Sequence, residues 1–207
     1  MKNAIRINLH TTPEQDARLQ ALQAAFAQVC NALAPWVQQT RLWNRVALHH
    51  LYYRRLREQF PALGSQMVCN AIYAVSRTCR LVYMHPGSPF NLSRLGDKAL
   101  PLLLFGANNP VYFDRHTLSV TQGQLSLFTL GGRMRFAVGL SPQEQAIFQT
   151  AKVREILLSR RAGEGPFELA FWLEPRDAPQ GDDEDEATGL TRQPVHIPDY
   201  VNVQESA

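Results

Sequence analysis

The stretch FDRHTLSVTQGQLSLFTLGGRMRFAV, residues 113–138, decides which fold the second half of the chain adopts. Apolar and polar residues alternate in three short runs, and Gln122-Gly123 and Gly131-Gly132 separate them. Alternation is typical of half-buried strands, and glycine pairs between such runs favour tight turns. We therefore predict three consecutive antiparallel strands, at Thr117–Thr121, Gln124–Leu130 and Arg133–Val138.

Similar short runs flank these hairpins, at residues 4–9, Leu102–Phe105, Val111–Phe113, Ile156–Arg160 and Phe167–Glu174. Many short strands joined by tight turns are typical of a small antiparallel β-barrel. We predict such a barrel from residues 1–10 and 86–175, with a short helix within 142–152.

Residues 11–85 have helical periodicity instead. Thr12, Pro13 and Gln15 provide an N-cap, a first-turn proline and a capping box, and apolar residues then recur every three or four positions from Leu19 to Leu33. Two further helices are predicted from about Pro35 or Gln38 to Phe60 and from about Ser65 to Tyr83. The predicted fold class is α+β, a small barrel with a three-helix bundle inserted after its first strand.

The last residues, 176–207, have no apolar pattern and contain the acidic run Asp182–Glu186. Such a composition buries too little apolar surface to offset the entropy of ordering, so we predict a disordered tail. The default interpretation of the acidic run is a solvated segment, and the alternative is a loose site for a divalent metal.

The charge is unevenly distributed. Residues 1–175 carry 19 Lys and Arg against 10 Asp and Glu, whereas residues 176–207 carry 2 against 8. A basic body favours a nucleic-acid partner, because bound cations release counterions from phosphates. Only three of the 19 cations are lysines, and arginine binds phosphate bidentately, although a genome rich in G and C would produce the same bias.

No arrangement of residues predicts catalysis or a cofactor. Asp16, Asp97 and Asp114 lie in different predicted elements, and adjacent His49 and His50 point about 100° apart on a helix, too far to share a metal. The three cysteines form no C-x-x-C pair, which predicts core thiols. We expect no enzyme, metal or cofactor site, and, since no bilayer-spanning or leader segment is evident, a cytoplasmic protein.

Cations and aromatic residues lie side by side on the second and third predicted helices, the mixture that phosphate contact and base stacking require. The alternative is that the aromatic rings pack against neighbouring helices and arginines coat the outside. With the cations of the strand region, the predicted nucleic-acid contacts are Arg41, Trp43, Asn44, Arg45, Tyr52, Tyr53, Arg54, Arg55, Arg57, Arg77, Arg80, Arg133, Arg135, Lys152 and Arg154.

The order of segments resembles the N-terminal half of TnpB, the transposon-encoded RNA-guided nuclease, and of the related type V CRISPR effectors. The helical part resembles their recognition (REC) region at Thr12–Gln15, Cys30–Leu33, Trp43–Asn44 and Phe60–Met67. The strand-rich part is similar to their wedge (WED) barrel at Phe113–Ser119, Leu125–Arg133 and Phe167–Glu174. The resemblance covers about residues 1–175.

The chain departs from this family after Glu174-Pro175, where the acidic tail stands in place of the RuvC nuclease domain. The resemblance therefore implies a nuclease-deficient module that holds a structured guide-type RNA and contributes to recognition of target DNA. The implied partners are that RNA, target DNA, and a separate RuvC-bearing polypeptide or a second copy of the chain. The alternative is a protein-interaction factor that mimics half of an effector and uses its acidic tail to compete for a basic groove.

Overall fold

A computed structural model describes residues 3–121, 123–160, 165–175 and 196–205, which form helices and antiparallel strands. The helices are α1 (Pro13–Thr40), α2 (Arg45–Gln59), α3 (Ser65–Cys79), α4 (Leu92–Leu95) and α5 (Pro142–Thr150), and a π-helical turn spans Arg80–Met84. The strands are β1 (Asn3–Asn8), β2 (Leu102–Phe105), β3 (Val111–Phe113), β4 (Leu118–Thr121), β5 (Gln124–Thr129), β6 (Gly132–Ala137), β7 (Ala151–Arg160), β8 (Phe167–Pro175) and β9 (Val201–Gln204).

The capping box at the start of α1 is confirmed. The Thr12 side chain accepts a hydrogen bond from the Gln15 backbone N–H, and the Gln15 side chain accepts one from the Thr12 N–H. The predicted start of the second helix at Pro35 or Gln38 is wrong, because α1 continues through Pro35 to Thr40. The helix ends where Arg41 adopts a left-handed conformation, with φ 54°.

A new helix begins only after Asn44, whose side-chain Oδ1 accepts hydrogen bonds from the backbone N–H groups of Val46 and Ala47. Asparagine is among the best N-caps, which explains why α2 begins here. Arg41, Trp43 and Asn44 therefore lie in the connection between two helices and not on a helix face.

The two following helices differ in burial. In α3 the buried positions run from Met67 to Cys79, whereas α2 buries only Leu48 and Leu56. Helix α2 packs mainly against α3 and leaves most of its surface in solvent. Of the three long helices, α2 is therefore the one whose side chains are most accessible to a partner.

All paired strands are antiparallel and lie in three sheets, ordered β1-β8-β7-β3, β4-β5-β6 and β2-β9. The α+β class is confirmed, and the predicted closed barrel is wrong. In the described chain β4 and β6 pair only with β5, and β3 and β1 are the edges of the four-stranded sheet. Alternation specifies which runs form strands but not whether sheet edges meet, since closure depends on tilt and shear.

The three-stranded sheet follows its predicted hairpins. Gly123 and Gly132 have φ values of 75° and 98°, a left-handed conformation that tight hairpin turns require. Arg18 of α1 donates to the Thr129 hydroxyl at 2.8 Å and joins this sheet to the helices. Strands and helices share one hydrophobic core, in which Phe26 of α1 stacks on Tyr112 of β3.

The predicted tail is wrong at its C-terminal end. Residues Val201–Gln204 form β9 and pair with β2, so that Val201 lies opposite Phe105 and is buried. The segment is short but alternates, and β2 offers it an open edge. Residues 176–195, with the acidic run, lie outside the described residues.

None of the helices in the described ranges combines the length and the apolar character that crossing a bilayer requires.

Candidate nucleic-acid interface

The helical part of the chain is strongly basic. From residue 17 to residue 96 the sequence holds nine arginines and a single acidic residue, Glu58. Helix α2 alone, RVALHHLYYRRLREQ, carries four of these arginines. Because α2 is also the most exposed of the long helices, Arg45, Arg54 and Arg55 face solvent, where phosphates could reach them, and Arg57 is half-buried.

The predicted aromatic contacts are engaged within the protein. The ring of Trp43 lies 5.4 Å from that of Tyr83, and the ring of Tyr52 lies 5.1 Å from that of Trp36. Tyr53 stacks on His49 at 4.6 Å. These rings therefore pack within the protein, as in the alternative interpretation of the sequence. The groups that this surface leaves for a nucleic acid are cations, which contact phosphates.

Two arginines of α2 lie over aromatic faces. The guanidinium carbon of Arg45 is 5.2 Å from the ring centre of Tyr73, and that of Arg55 is 4.7 Å from the ring centre of Trp36. A cation–π contact fixes the plane of a guanidinium but leaves its N–H edges able to donate. Both arginines therefore keep their capacity to bind an oxyanion.

Arg41 and Arg57 donate to backbone carbonyls. Arg41 reaches the carbonyl oxygens of Lys98 and Gly96 at 3.2 and 3.4 Å, and Arg57 donates to those of Leu63 and Phe60. These acceptors are neutral, so both contacts order the guanidinium without cancelling its charge.

Helical spacing does not place these cations on one face. Arg55 and Arg57 are two positions apart, which separates their directions by about 160° around the helix. Arg55 accordingly lies on the flank of α2 that faces α1 at Trp36, whereas Arg45 lies on the flank that faces Tyr73 of α3. The cations of α2 are thus divided between two flanks of the helix.

Three of the predicted contacts are bound to carboxylates. Arg54 pairs with Glu58 at 3.3 Å on the exposed side of α2, Arg154 pairs with Glu174, and Arg77 pairs with Glu155. Arg80 is half-buried in the π-helical turn and has interactions of its own. Arg77 and Arg154, whose ion pairs are partly buried, are less able to contact phosphate than the cations with neutral partners, whereas the exposed Arg54–Glu58 pair is weak.

Glu155 lies next to a β-bulge between Val153 and Glu155 and is only 9% exposed. Its carboxylate accepts from Arg77 and, at 3.1 Å, from the Tyr73 hydroxyl. Burial opposes the charge of Arg77, but Tyr112, Glu155 and Tyr73 outweigh it and raise the pKa of the guanidinium. Arg77 therefore neutralises a buried carboxylate and joins α3 to β7.

The cations of the three-stranded sheet have neutral surroundings. Arg133 donates to the Ser126 hydroxyl at 3.0 Å and to the His116 carbonyl at 3.3 Å. Arg135 is exposed and lies opposite Ser126 on β5. Residues 115–143 contain no acidic residue. Lys152, by contrast, lies across from Glu174 on β8.

The end of α2 and the three-stranded sheet lie together. Arg57 contacts the carbonyl of Leu63, and a Cβ at the next residue, Gly64, would lie 3.2 Å from the ring of Phe128. Phe128 lies opposite Arg133 across the β5–β6 pair. Arg45 joins this group through Cys69 of α3, since the charges of Arg45 and Arg57 both act on that thiol. We call the group formed by Arg45, Arg57, Arg133 and Arg135 the basic strip.

Cys69 of α3 lies within this surface. Burial raises the pKa of its thiol, and the charges of Arg45, Asp114 and Arg57 act on it as well. It is half-buried, whereas Cys30 and Cys79 are buried, and burial raises the pKa of both thiols. Cys69 is thus the thiol whose alkylation would report a ligand on the strip.

Arg115 and His116, in the turn before β4, also lie at this end of the sheet but are absent from the predicted contacts. The absence of Asp and Glu from the sequence between 115 and 143 is the signal that could have indicated them.

In the part of the chain that the structure describes, no three His, Cys, Asp or Glu side chains lie close enough to hold a metal. The sequence matches no protein-family model and no curated protein.

Proposed function

We propose that this chain binds structured RNA through the basic strip. The observation that carries the proposal is the bonding of its arginines. Arg45 lies over an aromatic face, Arg57 and Arg133 donate to neutral oxygens, and Arg135 is exposed. Among the described residues none of the four has a carboxylate partner. Surface arginines of this kind can donate to phosphate oxygens without first breaking an ion pair.

The partial burial of the aromatic rings favours structured RNA over single-stranded RNA. Single-strand binders depend on exposed rings against which bases stack, and here Trp43, Tyr52 and Tyr53 contact other rings of the protein. Among the described residues the Trp, Tyr and Phe rings are at least partly buried. A surface that exposes cations in place of such rings is suited to the phosphate backbone, which is how proteins recognise double-helical RNA by shape.

The resemblance to TnpB and type V effectors makes the proposal more specific. We infer a cytoplasmic guide-RNA-binding subunit with a wedge-like and a recognition-like part, which contributes to target-DNA recognition while another polypeptide supplies the nuclease. What supports this is the order of the resembling segments together with the basic strip. In this proposal the chain itself has no nuclease activity.

The test is to purify the protein from its native host, sequence the RNA that accompanies it, and titrate that RNA at two salt concentrations. We expect one abundant structured RNA. If about four phosphates are contacted, affinity falls roughly 100-fold between 50 and 200 mM salt. Protein partners without RNA, or an affinity that salt leaves unchanged, would contradict the proposal.

The alternative of a protein-interaction factor has less support in the described surface. Val46 and Leu51 of α2 are 61% and 62% exposed, yet they are five positions apart. Five positions separate two side chains by about 140° around a helix, so the two residues do not form one apolar patch. Co-purified protein in place of RNA would nevertheless favour this function.

A further inference from the structure

The C-terminal residues 196–205, which we call the C-terminal clip, dock on the body of the protein after an interval of 20 undescribed residues. Strand β9 pairs with β2 over four residues, and the Gly106 N–H donates to the Tyr200 carbonyl at 2.8 Å. Asn31 of α1 holds the other side of β2 by bonding both the N–H and the carbonyl of Phe105. The clip thus pairs with one edge of β2, while Asn31 of α1 is hydrogen-bonded to the other edge.

Tyr200 links the clip to the interior. Its hydroxyl is hydrogen-bonded to that of Tyr112 on β3, and burial raises the pKa of both tyrosines. The ring of Tyr112 meets the ring of Tyr73 edge-on at 5.7 Å. The clip therefore touches, through one intermediate ring, the tyrosine on which Arg45 lies.

Tyr73 connects this chain of contacts to the basic strip. Arg45 lies over its ring, and its hydroxyl donates to Glu155, which also holds Arg77. The contacts form a continuous physical path from Tyr200 to a residue of the strip.

A four-residue strand with one buried side chain, Val201, is the kind of element that opens locally while the rest of a protein stays folded. We propose that docking of the C-terminal clip and RNA binding at the basic strip are thermodynamically coupled, with Tyr200 as the positioning residue. The inference rests on the proposed function and adds its regulation: RNA binds the docked state more tightly, and a partner that removes the clip weakens RNA binding.

Coupling of this kind is reciprocal, which makes it measurable from both sides. The first measurement compares the affinity for a 20-base-pair RNA hairpin of the full chain and of a chain ending at residue 195. We expect truncation to weaken binding roughly fivefold or more, within the usual range of such couplings. Tyr200→Phe, which keeps the strand and removes one hydroxyl, should weaken it in the same direction by less, and Asn202→Ala, at an exposed position of β9, should not.

The second measurement is hydrogen exchange at the Gly106 amide of the full chain, because that amide is bonded to Tyr200. Saturating hairpin RNA should slow its exchange by the factor by which truncation weakens binding. The Leu9 amide, bonded to Phe167 in the four-stranded sheet, is the control and should change little.

The outcomes separate the two proposals. If the full chain binds no RNA, the proposed function fails and the coupling fails with it. If the full chain binds RNA but truncation and Tyr200→Phe leave the affinity unchanged or raise it, only the coupling is overturned. Unequal factors in the two measurements would also overturn it, since reciprocity requires them to agree.

Discussion

Arginines of the four-stranded sheet and arginines of the basic strip have different partners. In β1 and β7, Arg6, Arg154 and Arg160 bind the carboxylates of Glu168, Glu174 and Asp16. The four arginines of the strip have aromatic or neutral partners or are simply exposed. The same side chain thus joins elements of the fold in one region and stays available to an outside anion in the other.

The difference follows from the positions of the acidic residues, which lie next to the arginines of the four-stranded sheet. Asp16, Glu168 and Glu174 all lie on α1 or β8, next to cations of neighbouring elements. Around the strip, the long intervals 17–57 and 115–143 contain none. Among the described residues, the carboxylates of Asp114 and Glu155, which lie beside it, accept hydrogen bonds from Gln66 and from Tyr73 and Arg77 and from none of the four arginines of the strip. Local net charge therefore separates the arginines that have carboxylate partners from those that do not, which the positions of the arginines alone do not.

The largest expected effect comes from removing charge in each region separately. Replacing Arg45, Arg57 and Arg133 together by Gln should weaken binding of a structured RNA by roughly 100-fold or more, because three charge-assisted contacts are lost. The matched control replaces Arg6, Arg154 and Arg160 by Gln and should change affinity less than about threefold. Binding is measured by fluorescence anisotropy at fixed salt. Equal losses in both variants would show that total charge alone matters.

A variant of Arg77 tests whether a cation near the strip can stabilise the fold through an ion pair, as the arginines of the four-stranded sheet do. Arg77→Met should lower the free energy of unfolding by about 2–3 kcal/mol, because Glu155 stays buried without its cation. The value is below that of a fully buried pair, since the Arg77 side chain is 47% exposed. Urea unfolding measures the loss. The double variant with Glu155→Gln should recover part of it, and a loss in Arg77→Met below about 0.5 kcal/mol would place Arg77 with the available cations.

A carboxylate added beside the strip should form ion pairs with its arginines and so make them less available to phosphate. Ser126 lies opposite Arg135 and contacts Arg133, so Ser126→Glu supplies the missing acid to both. We expect RNA affinity to fall about tenfold while stability changes by less than about 1 kcal/mol. Ser126→Gln, which has nearly the same shape and no charge, is the control. If both variants bind equally weakly, shape at this position and not charge limits binding.

The smallest effect is expected for an exposed pair of the four-stranded sheet. Arg6 is 57% exposed, so Arg6→Gln should cost at most about 1 kcal/mol of unfolding free energy and leave RNA binding unchanged. Thermal unfolding measures the loss of stability, and fluorescence anisotropy measures the affinity for RNA. A larger loss of RNA affinity would mean that the binding surface extends onto β1.

Much of the local structure could be predicted from sequence, because neighbouring residues specify it. Thr12 and Gln15 predicted the start of α1, and Gly123 and Gly132 predicted the hairpins of the three-stranded sheet. The start of α2 could not be predicted from periodicity. A proline at position 35 usually ends a helix, but here packed residues on both sides of it, such as Leu33 and Val37, keep α1 continuous.

The candidate site was predictable in composition and not in arrangement. Cations and aromatics near residues 41–57 were evident, but the rings are partly buried against other rings and the cations lie on two flanks of α2. Whether an aromatic side chain is free depends on rings from other elements, such as Tyr83 for Trp43. Those partners are distant in the chain, so no local pattern reveals them.

The sequence by itself determined the secondary structure of most elements, the α+β class and the concentration of positive charge, because propensities, caps, turns and net charge are local properties. Only the tertiary structure decided that the strands form three sheets and not one barrel, that Val201–Gln204 pair with β2, and that Arg77 is neutralised while Arg45 is not. Each of these depends on contacts between residues far apart in the chain, and the spacing of residues in a sequence carries no record of which distant segments meet.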